Sequence, residues 1–239
     1  MSDDWRDEVY RVYLSTHYSN LNRLDAEGYE LAALNYARIW DRVLPVDRSV
    51  PCLDIGCGAG QFLYYLRARG FADITGIDIS AENIELARQM GFNVIHQDAL
   101  QFLKEASTTD KRYGLISALD VIEHLTKQQL WDLLKLAYRV LEDRGRMLIK
   151  TVNASSLIGL YGRYMDFTHE MAFSEEALRQ VFLSSGFTRL EIVQRVEDDL
   201  RERGRRLVKR VFYWALYRLI EGRHVPRCID FDITAVAWK

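Results

Sequence analysis

LDIGCGAG at residues 53–60 is the stretch that decides the fold, because a run of apolar residues turns there into three closely spaced glycines. Gly56, Gly58 and Gly60 allow a tight turn, and without Cβ atoms they let a ligand approach the main-chain N–H groups. A β-type run over residues 50–55 precedes the turn, and a helical pattern over residues 62–69 follows it. The stretch therefore predicts a strand–turn–helix unit with a ligand-binding turn.

The alternation of strand and helix continues along the chain. Helical segments that end at Gly70 and Gly91 separate the first strands, and further strands are predicted on both sides of a helix that Thr126 caps. After the first strand, the predicted strands cover residues 73–79, 93–97, 113–119, 146–151, 187–196 and 229–238. Strands that alternate with helices indicate right-handed crossovers, so we expect an α/β fold with a doubly wound, mostly parallel, seven-stranded sheet.

Three segments lie outside this alternation. Residues 1–47 repeat apolar positions at helical spacing and predict an N-terminal helical cap, which precedes a main domain over residues 48–239. Residues 153–172 are predicted to be irregular, and a helix is predicted over residues 174–185. Residues 200–227 predict a basic helical insertion before the last strand.

Composition narrows the class of protein. The chain has 239 residues and 49% apolar content, which is ample for one large domain. With neither a membrane-spanning apolar run nor a signal-peptide pattern, we expect a cytoplasmic protein. Cys52, Cys57 and Cys228 lack zinc-ligand spacing, so neither a disulfide framework nor a metal site is predicted.

Acidic residues mark the ends of three successive predicted strands. A dinucleotide turn would need a further glycine where this chain has Gln61, and Asp54 before the turn disfavours a phosphate but suits a sulfonium. Asp78 is placed to accept hydrogen bonds from ribose hydroxyls, and Asp98 to accept one from an adenine amine. Each aspartate alone could instead form a turn or cap a helix.

Four successive motifs resemble those of class I S-adenosylmethionine-dependent methyltransferases. They are LDIGCGAG at residues 53–60, GIDIS at 76–80, QDAL at 97–100 and ALDVIEHL at 118–125. The resemblance implies S-adenosylmethionine as cofactor and an antiparallel last strand. It also implies that the cofactor is bound by residues at the first four strand ends: Asp54, Gly56, Cys57, Gly58, Gly60, Asp78, Ile79, Asp98, Ala99, Leu119 and Asp120.

The sequence indicates more than one class of methyl acceptor. Residues 165–187 and the arginine-rich segment resemble methyltransferases of bacterial surface-polysaccharide and lipopolysaccharide biosynthesis, which implies a hydroxyl of a sugar or lipid-linked glycan. DVIEHL is also similar to small-molecule O-methyltransferases, which implies an aromatic or quinone precursor. A non-catalytic scaffold that binds cofactor is the alternative outside enzymes, and a nucleic-acid substrate is disfavoured.

Two histidines follow the strands at the expected ligand edge. His124 comes after the fourth strand and His169 after the fifth, so either could act as the base that deprotonates a hydroxyl acceptor. Asp166 and Glu170 are carboxylates close enough in sequence to orient His169. Asp120 and Tyr164 are alternative bases, and His17, His96 and His224 are weaker ones.

Residues 200–227 concentrate positive charge. They contain nine Lys or Arg against two Glu, a local charge of +7 that leaves −9 for the rest of the chain. On a helical wheel an apolar arc that includes Phe212 and Trp214 lies across from Arg206 and Lys209. Such a helix either contacts a membrane interface or packs its apolar face on the sheet or on a second subunit of a homodimer.

Overall fold

The computed structural model describes residues 5–12, 23–197, 199–220, 222 and 225–239. The predicted cap and the basic insertion therefore lie partly outside the described residues. His17 and His224 lie outside them entirely.

Seven strands of the described residues form one sheet in the order β3-β2-β1-β4-β5-β7-β6. The strands are β1 Cys52–Ile55, β2 Ile74–Asp78, β3 Val94–His96, β4 Tyr113–Leu119, β5 Leu141–Val152, β6 Arg189–Ile192 and β7 Asp232–Trp238. Strands β1 to β5 are parallel, whereas β7 runs antiparallel to both β5 and β6. The predicted doubly wound, mostly parallel sheet is confirmed, and so is the antiparallel last strand.

Helices flank the sheet, and most of them begin where a polar side chain caps the first turn. They are α1 Trp5–Arg11, α2 Ala26–Trp40, α3 Gln61–Ala68, α4 Ala81–Gln89, α5 Ala99–Ala106, α6 Lys127–Val140, α7 Gly159–Tyr164, α8 Glu175–Ser185 and α9 Leu200–Trp214. The caps accept a hydrogen bond from a backbone N–H three residues later. They are Asp25, Ser80, Asp98, Thr126, Ser174 and Asp199.

Three sequence predictions differ from the structure in detail. The predicted irregular stretch at residues 153–172 contains α7, whose six residues are too few to give a clear helical period. The strand predicted over residues 187–196 is only Arg189–Ile192, an edge strand that pairs with β7 alone. The last strand, predicted over residues 229–238, begins only at Asp232, and it is buried along most of its length between β5 and β6.

The sheet is covered on both faces by apolar packing. One buried cluster joins the strands to α6 and α8 through residues such as Leu134 and Phe182. A second joins them to α2 and α3 through Trp40 and Tyr65. With both faces covered, the loops at the carboxyl ends of the parallel strands are left to form a site. Among the described residues, no helix is long and apolar enough to cross a membrane.

Candidate active site

An open cleft lies at the carboxyl ends of β1, β2 and β4, where the strand order reverses between β1 and β4. Parallel sheets bind ligands at this reversal, because the loops on its two sides diverge. Eight of the predicted site residues line the cleft: Gly56, Gly58, Asp78, Ile79, Asp98, Ala99, Asp120 and His124.

Asp78 ties the first two strand ends together. Its Oδ2 accepts a hydrogen bond from the Gly58 backbone N–H at 2.8 Å, and its Oδ1 accepts one from the Ser80 N–H at 2.7 Å. Burial raises the pKa of this carboxyl, and the two amides counteract the rise by stabilising the charged form. The Asn83 side chain is a further hydrogen-bond donor to this carboxylate, which has about four lone-pair sites and so keeps acceptor capacity for a ligand. Asp78 therefore holds the turn and also presents acceptors to the cleft.

Gly56 lies where the backbone passes close to the loop after β4. Its φ is +68°, and a Cβ atom at this position would lie 2.4 Å from Val121 Cγ2. Both the conformation and the space therefore require glycine. The close approach keeps the first turn and the β4 loop together on one side of the cleft.

Four of the predicted cofactor residues do not line the cleft. Asp54 is buried and accepts a hydrogen bond from Ser117 Oγ at 2.6 Å, so it links β1 to β4. Burial raises the pKa of Asp54 to about 7, so it is not a fixed anion at neutral pH. Leu119 packs against the apolar cluster on the α2 side of the sheet.

Cys57 and Gly60 also face the protein interior. The Cys57 side chain is buried in a small cluster with Leu63 and Ile84. Gly60 has a φ of +91°, and a Cβ there would lie 2.7 Å from the Phe92 ring. These two residues support the turn from the side that faces the protein interior. The motif alone does not distinguish residues that face the ligand from residues that support the turn.

Asp98 and Asp120 both line the cleft, Asp98 after β3 and Asp120 after β4. Asp98 is exposed and caps α5 by accepting a hydrogen bond from the Gln101 N–H at 2.9 Å. Asp120 has a φ of +57°, a conformation that a non-glycine residue rarely adopts. Its carboxylate accepts a 2.7 Å hydrogen bond from Lys150 Nζ, and Lys150 also lies 3.4 Å from Asp232. Asp120 is therefore already paired with a cation, which disfavours it as the base.

The cleft includes residues that sequence reasoning did not single out. They are Arg6, Ile55, Ile77, Ser80, Asn83, Gln97, Val121, Leu125 and Gln129. Most of them adjoin a predicted residue at a strand end, so the same motifs could have indicated them. Arg6 is different, because it belongs to α1 and pairs with Glu170, 164 positions along the chain. No local pattern in the sequence indicates that contact.

His124 is oriented by a chain of polar contacts. Thr168 Oγ1 donates to Asp166 at 2.7 Å and lies 2.7 Å from His124 Nδ1. Because the Thr168 hydroxyl proton goes to Asp166, its oxygen accepts the hydrogen bond from Nδ1–H of His124, which makes Nε2 the basic atom of the neutral ring. Asp166, expected to orient His169, thus acts on His124 through Thr168.

His169 lies against His124, with ring centroids 4.7 Å apart in an edge-to-face arrangement. Its Nδ1 donates to the Gly162 carbonyl at 2.9 Å, so Nε2 is again the basic atom. Glu170, the other carboxylate expected to orient His169, instead pairs with Arg6. The structure thus brings together two histidines that are 45 positions apart, with the same nitrogen basic in each ring.

Glu123 completes a group with these two rings. The Glu123 side chain is buried, and its Oε2 accepts a hydrogen bond from Thr151 Oγ1 at 2.9 Å. Burial, together with the nearby Asp120 carboxylate, raises the pKa of Glu123 well above its usual range. The ligand atoms of Glu123, His124 and His169 lie within 4.8 Å of one another, which is close enough to share a metal ion. The sequence predicted no metal site, because it did not indicate that these residues meet.

Of the other histidines within the described residues, His96 is exposed and its Nε2 lies 2.8 Å from the Ile79 carbonyl. Tyr164, an alternative base, is 71% exposed. Neither shares the arrangement of the pair. The three cysteines are free and buried.

The reversed strand order, the glycine turn and the acidic strand ends together define the fold of class I S-adenosylmethionine-dependent methyltransferases. A solved S-adenosylmethionine-dependent methyltransferase from Archaeoglobus fulgidus matches the structure with a TM-score of 0.67 and 25% identity, over 88% of this chain and 94% of that one. Magnesium protoporphyrin IX methyltransferase from Synechocystis, solved with S-adenosylmethionine, has the same fold. It matches with a TM-score of 0.55 and 15% identity, over 98% of this chain and 96% of that one.

The family model for a methyltransferase domain matches residues 25–192, and the chain belongs to this family. The cofactor of this family and fold is S-adenosylmethionine. Ubiquinone biosynthesis O-methyltransferase from Rickettsia felis is 34% identical over 102 residues, which are 42% of this chain and 41% of that protein. The enzyme of the same name from Psychrobacter arcticus is 27% identical over 157 residues, 59% of this chain and 60% of that protein. This chain thus spans from about two-fifths to three-fifths of the length of these relatives.

Proposed function

We propose that the protein transfers a methyl group from S-adenosylmethionine to a hydroxyl oxygen of a small-molecule acceptor. The observation that carries this proposal is the pairing of His124 and His169 beside the cofactor cleft, with Nε2 basic in both rings. A hydroxyl acceptor is protonated at neutral pH, so the reaction needs a group that removes its proton.

The cofactor fits the lining of the cleft. Asp78 offers a carboxylate acceptor for the ribose, and Asp98 lies beside Ala99, where an adenine ring would meet both a polar and an apolar contact. Gly56 and Gly58 leave room for the methionine part, close to Asp120 on the β4 side. The other predicted residues, Asp54, Cys57, Gly60 and Leu119, would support this lining from behind.

When bound, the cofactor supplies an electrophilic methyl group on a sulfonium and leaves as a neutral thioether. The residues of this chain would hold the acceptor oxygen beside the bound cofactor, and positioning of this kind can supply much of the rate. An imidazole Nε2 takes the hydroxyl proton as the new oxygen–carbon bond forms. Such a base contributes about 10²- to 10⁴-fold.

A second role for the same side chains is favoured by the proximity of Glu123. Histidines that bind a metal usually hydrogen-bond through their other ring nitrogen, as both do here, and the buried Glu123 carboxylate is close enough to be a third ligand of a divalent cation. A cation held there would lower the pKa of the acceptor hydroxyl and so replace proton removal by a free base. Both roles require the acceptor oxygen to lie beside the same three residues.

The acceptor class is inferred from the relatives. Two of them are named ubiquinone biosynthesis O-methyltransferase, which supports an aromatic or quinone precursor over the sugar or lipid-linked glycan that the sequence motifs favoured. A cofactor-binding scaffold without activity remains the non-enzyme alternative. The ordered His124–Thr168–Asp166 contacts support catalysis instead, because a scaffold does not need an oriented imidazole.

A methyl-transfer assay with labelled S-adenosylmethionine tests the proposal. We expect label to appear on the oxygen of catechol- or phenol-type precursors of quinones. Nucleotide sugars and glycolipids, offered in parallel at the same concentrations, should stay unlabelled. Label on a sugar hydroxyl would restore the glycan acceptor, and no label on any hydroxyl compound would contradict the proposed reaction.

A further inference from the structure

Helix α9 is attached to the protein by its charged side. Arg206, only 14% exposed, forms ion pairs with Glu197 and Asp230, and Lys209 lies 3.7 Å from Asp230. Tyr213 is the single buried residue of the helix. Of the alternatives for this helix, packing of its apolar face on the sheet is therefore wrong, because ion pairs and one buried tyrosine make its contacts with the rest of the described protein.

The opposite side of α9 is apolar and exposed. Five large side chains there are between 51% and 71% exposed: Leu207, Val208, Val211, Phe212 and Trp214. In the π-helical turn Ala215–Ile220 that follows, Leu219 and Ile220 are exposed as well. A continuous apolar surface of this kind usually marks a surface that contacts a membrane or another protein.

Positive charges flank this apolar face on both sides. Because an α-helix turns by about 100° per residue, Arg201 and Arg205 project along one side of the line through Leu207 and Val211, with Arg203 and Arg210 along the other. Arg201 and Arg205 are exposed, and within the described ranges neither forms an ion pair. An apolar centre with cationic edges is the pattern of a helix that lies in the interface of an anionic bilayer.

Helix α9 and the turn after it contact the chain just before α7. Leu157 N–H donates to Tyr213 Oη at 2.7 Å, and Tyr217 Oη donates to the Ser155 carbonyl at 3.2 Å, so α9 and its following turn hold the segment that leads into α7. Helix α7 itself carries the Gly162 carbonyl that orients His169. Residues 157–167 also expose a row of large apolar side chains: Leu157, Ile158, Leu160, Tyr161, Tyr164 and Phe167.

We propose that the outer face of α9 docks on an anionic phospholipid bilayer and places the mouth of the active site at the lipid surface. The apolar residues enter the interface, and the flanking arginines meet the lipid phosphates. A second copy of this chain fits less well, because a two-fold contact through α9 would bring its arginine edges against each other. The docking rests on the surface of α9 and does not depend on the identity of the acceptor.

Co-sedimentation of the full chain with vesicles tests the docking. We expect binding to phosphatidylcholine vesicles that contain phosphatidylglycerol, weak binding to phosphatidylcholine alone, and loss of binding in high salt. The double variant Arg201→Ser/Arg205→Ser should weaken binding about 25-fold, since each cation near an anionic surface contributes about fivefold. The variant Leu207→Ser/Val211→Ser should also weaken it, with the melting temperature unchanged because both side chains are exposed.

Matched control variants test whether the loss of any two surface cations or any two surface leucines is enough to weaken vesicle binding. Arg88→Ser/Lys104→Ser removes two exposed cations from α4 and α5, and Leu31→Ser/Leu34→Ser removes two exposed leucines from α2. Both controls should bind vesicles like the wild type. Wild-type protein that binds no anionic vesicles would overturn the proposal. So would a dimer in lipid-free buffer that Leu207→Ser/Val211→Ser converts to monomers, because the apolar face would then be a subunit interface.

Discussion

Replacing His124 or His169 by alanine is expected to slow methyl transfer by about 100-fold or more and to leave the affinity for S-adenosylmethionine near that of the wild type. The cofactor affinity should stay unchanged because each ring is held by residues that follow β5. Nδ1 of His124 bonds to Thr168, and Nδ1 of His169 bonds to the Gly162 carbonyl. Single-turnover rates and calorimetric titration with the cofactor measure the two quantities separately.

His96→Ala is the matched control, because it removes an imidazole from β3 at the edge of the sheet and leaves the pair intact. Its turnover at saturating cofactor should match the wild type. Wild-type turnover in both His124→Ala and His169→Ala would contradict the role given to the pair. Positioning alone, or a base such as Asp120 or Tyr164, would then account for the reaction.

Dialysis against a chelator distinguishes the two roles of the pair. If an imidazole acts alone as the base, the dialysed enzyme keeps its turnover, and Glu123→Gln has a smaller effect than either histidine variant. If the group holds a divalent cation, dialysis and Glu123→Gln both abolish turnover, and added cation restores activity only to the dialysed wild type. Turnover that is insensitive to chelation and to all three substitutions would exclude both roles.

Asp78→Ala is expected to weaken S-adenosylmethionine binding by about 1.5 to 3 kcal/mol, which is the range for hydrogen bonds that involve a charged group. The variant loses the acceptors proposed for the ribose and also the two bonds that hold Gly58 and Ser80. Asp78→Asn should bind the cofactor nearly as weakly as Asp78→Ala, because its amide group would place an N–H against the N–H of Gly58 or Ser80. Calorimetric titration measures both.

Asp73→Ala is the control for this prediction. Asp73 precedes the same strand at its other end, is exposed, and pairs only loosely with Lys111 at 3.7 Å. Its loss should leave cofactor affinity unchanged. If Asp78→Ala stays folded and binds the cofactor like the wild type, then Asp78 serves only to form the turn.

The fold could be predicted because its signals are local. The glycine turn, the caps at Ser80 and Thr126 and the acidic strand ends each report on a few neighbouring residues, and in a parallel sheet the order of elements restricts how they assemble. The same reasoning places Asp78 and Asp98 at the cleft. It does not distinguish them from Asp54, whose side chain does not line the cleft and instead accepts a hydrogen bond from Ser117, a buried residue of β4.

What the sequence did not predict depends on contacts between distant segments. Arg6 reaches the cleft from α1, Lys150 pairs with Asp120 from the next strand, and Glu123 meets His169 from another loop. The orientation of α9 also depends on contacts between distant segments. A helical wheel gives the apolar and charged faces correctly, but only the position of Glu197 and Asp230 decides that the charged face turns inward.

Calorimetric titration of the wild-type protein with S-adenosylmethionine, S-adenosylhomocysteine and NAD tests the central claim most directly. The cleft has Gln61 where a dinucleotide turn needs glycine, and carboxylates lie at the ends of β2 and β4 and just beyond β3. We predict one binding site for each sulfur compound and no binding of NAD. Binding of NAD without binding of either sulfur compound would leave the sheet as described and contradict the assigned cofactor and reaction.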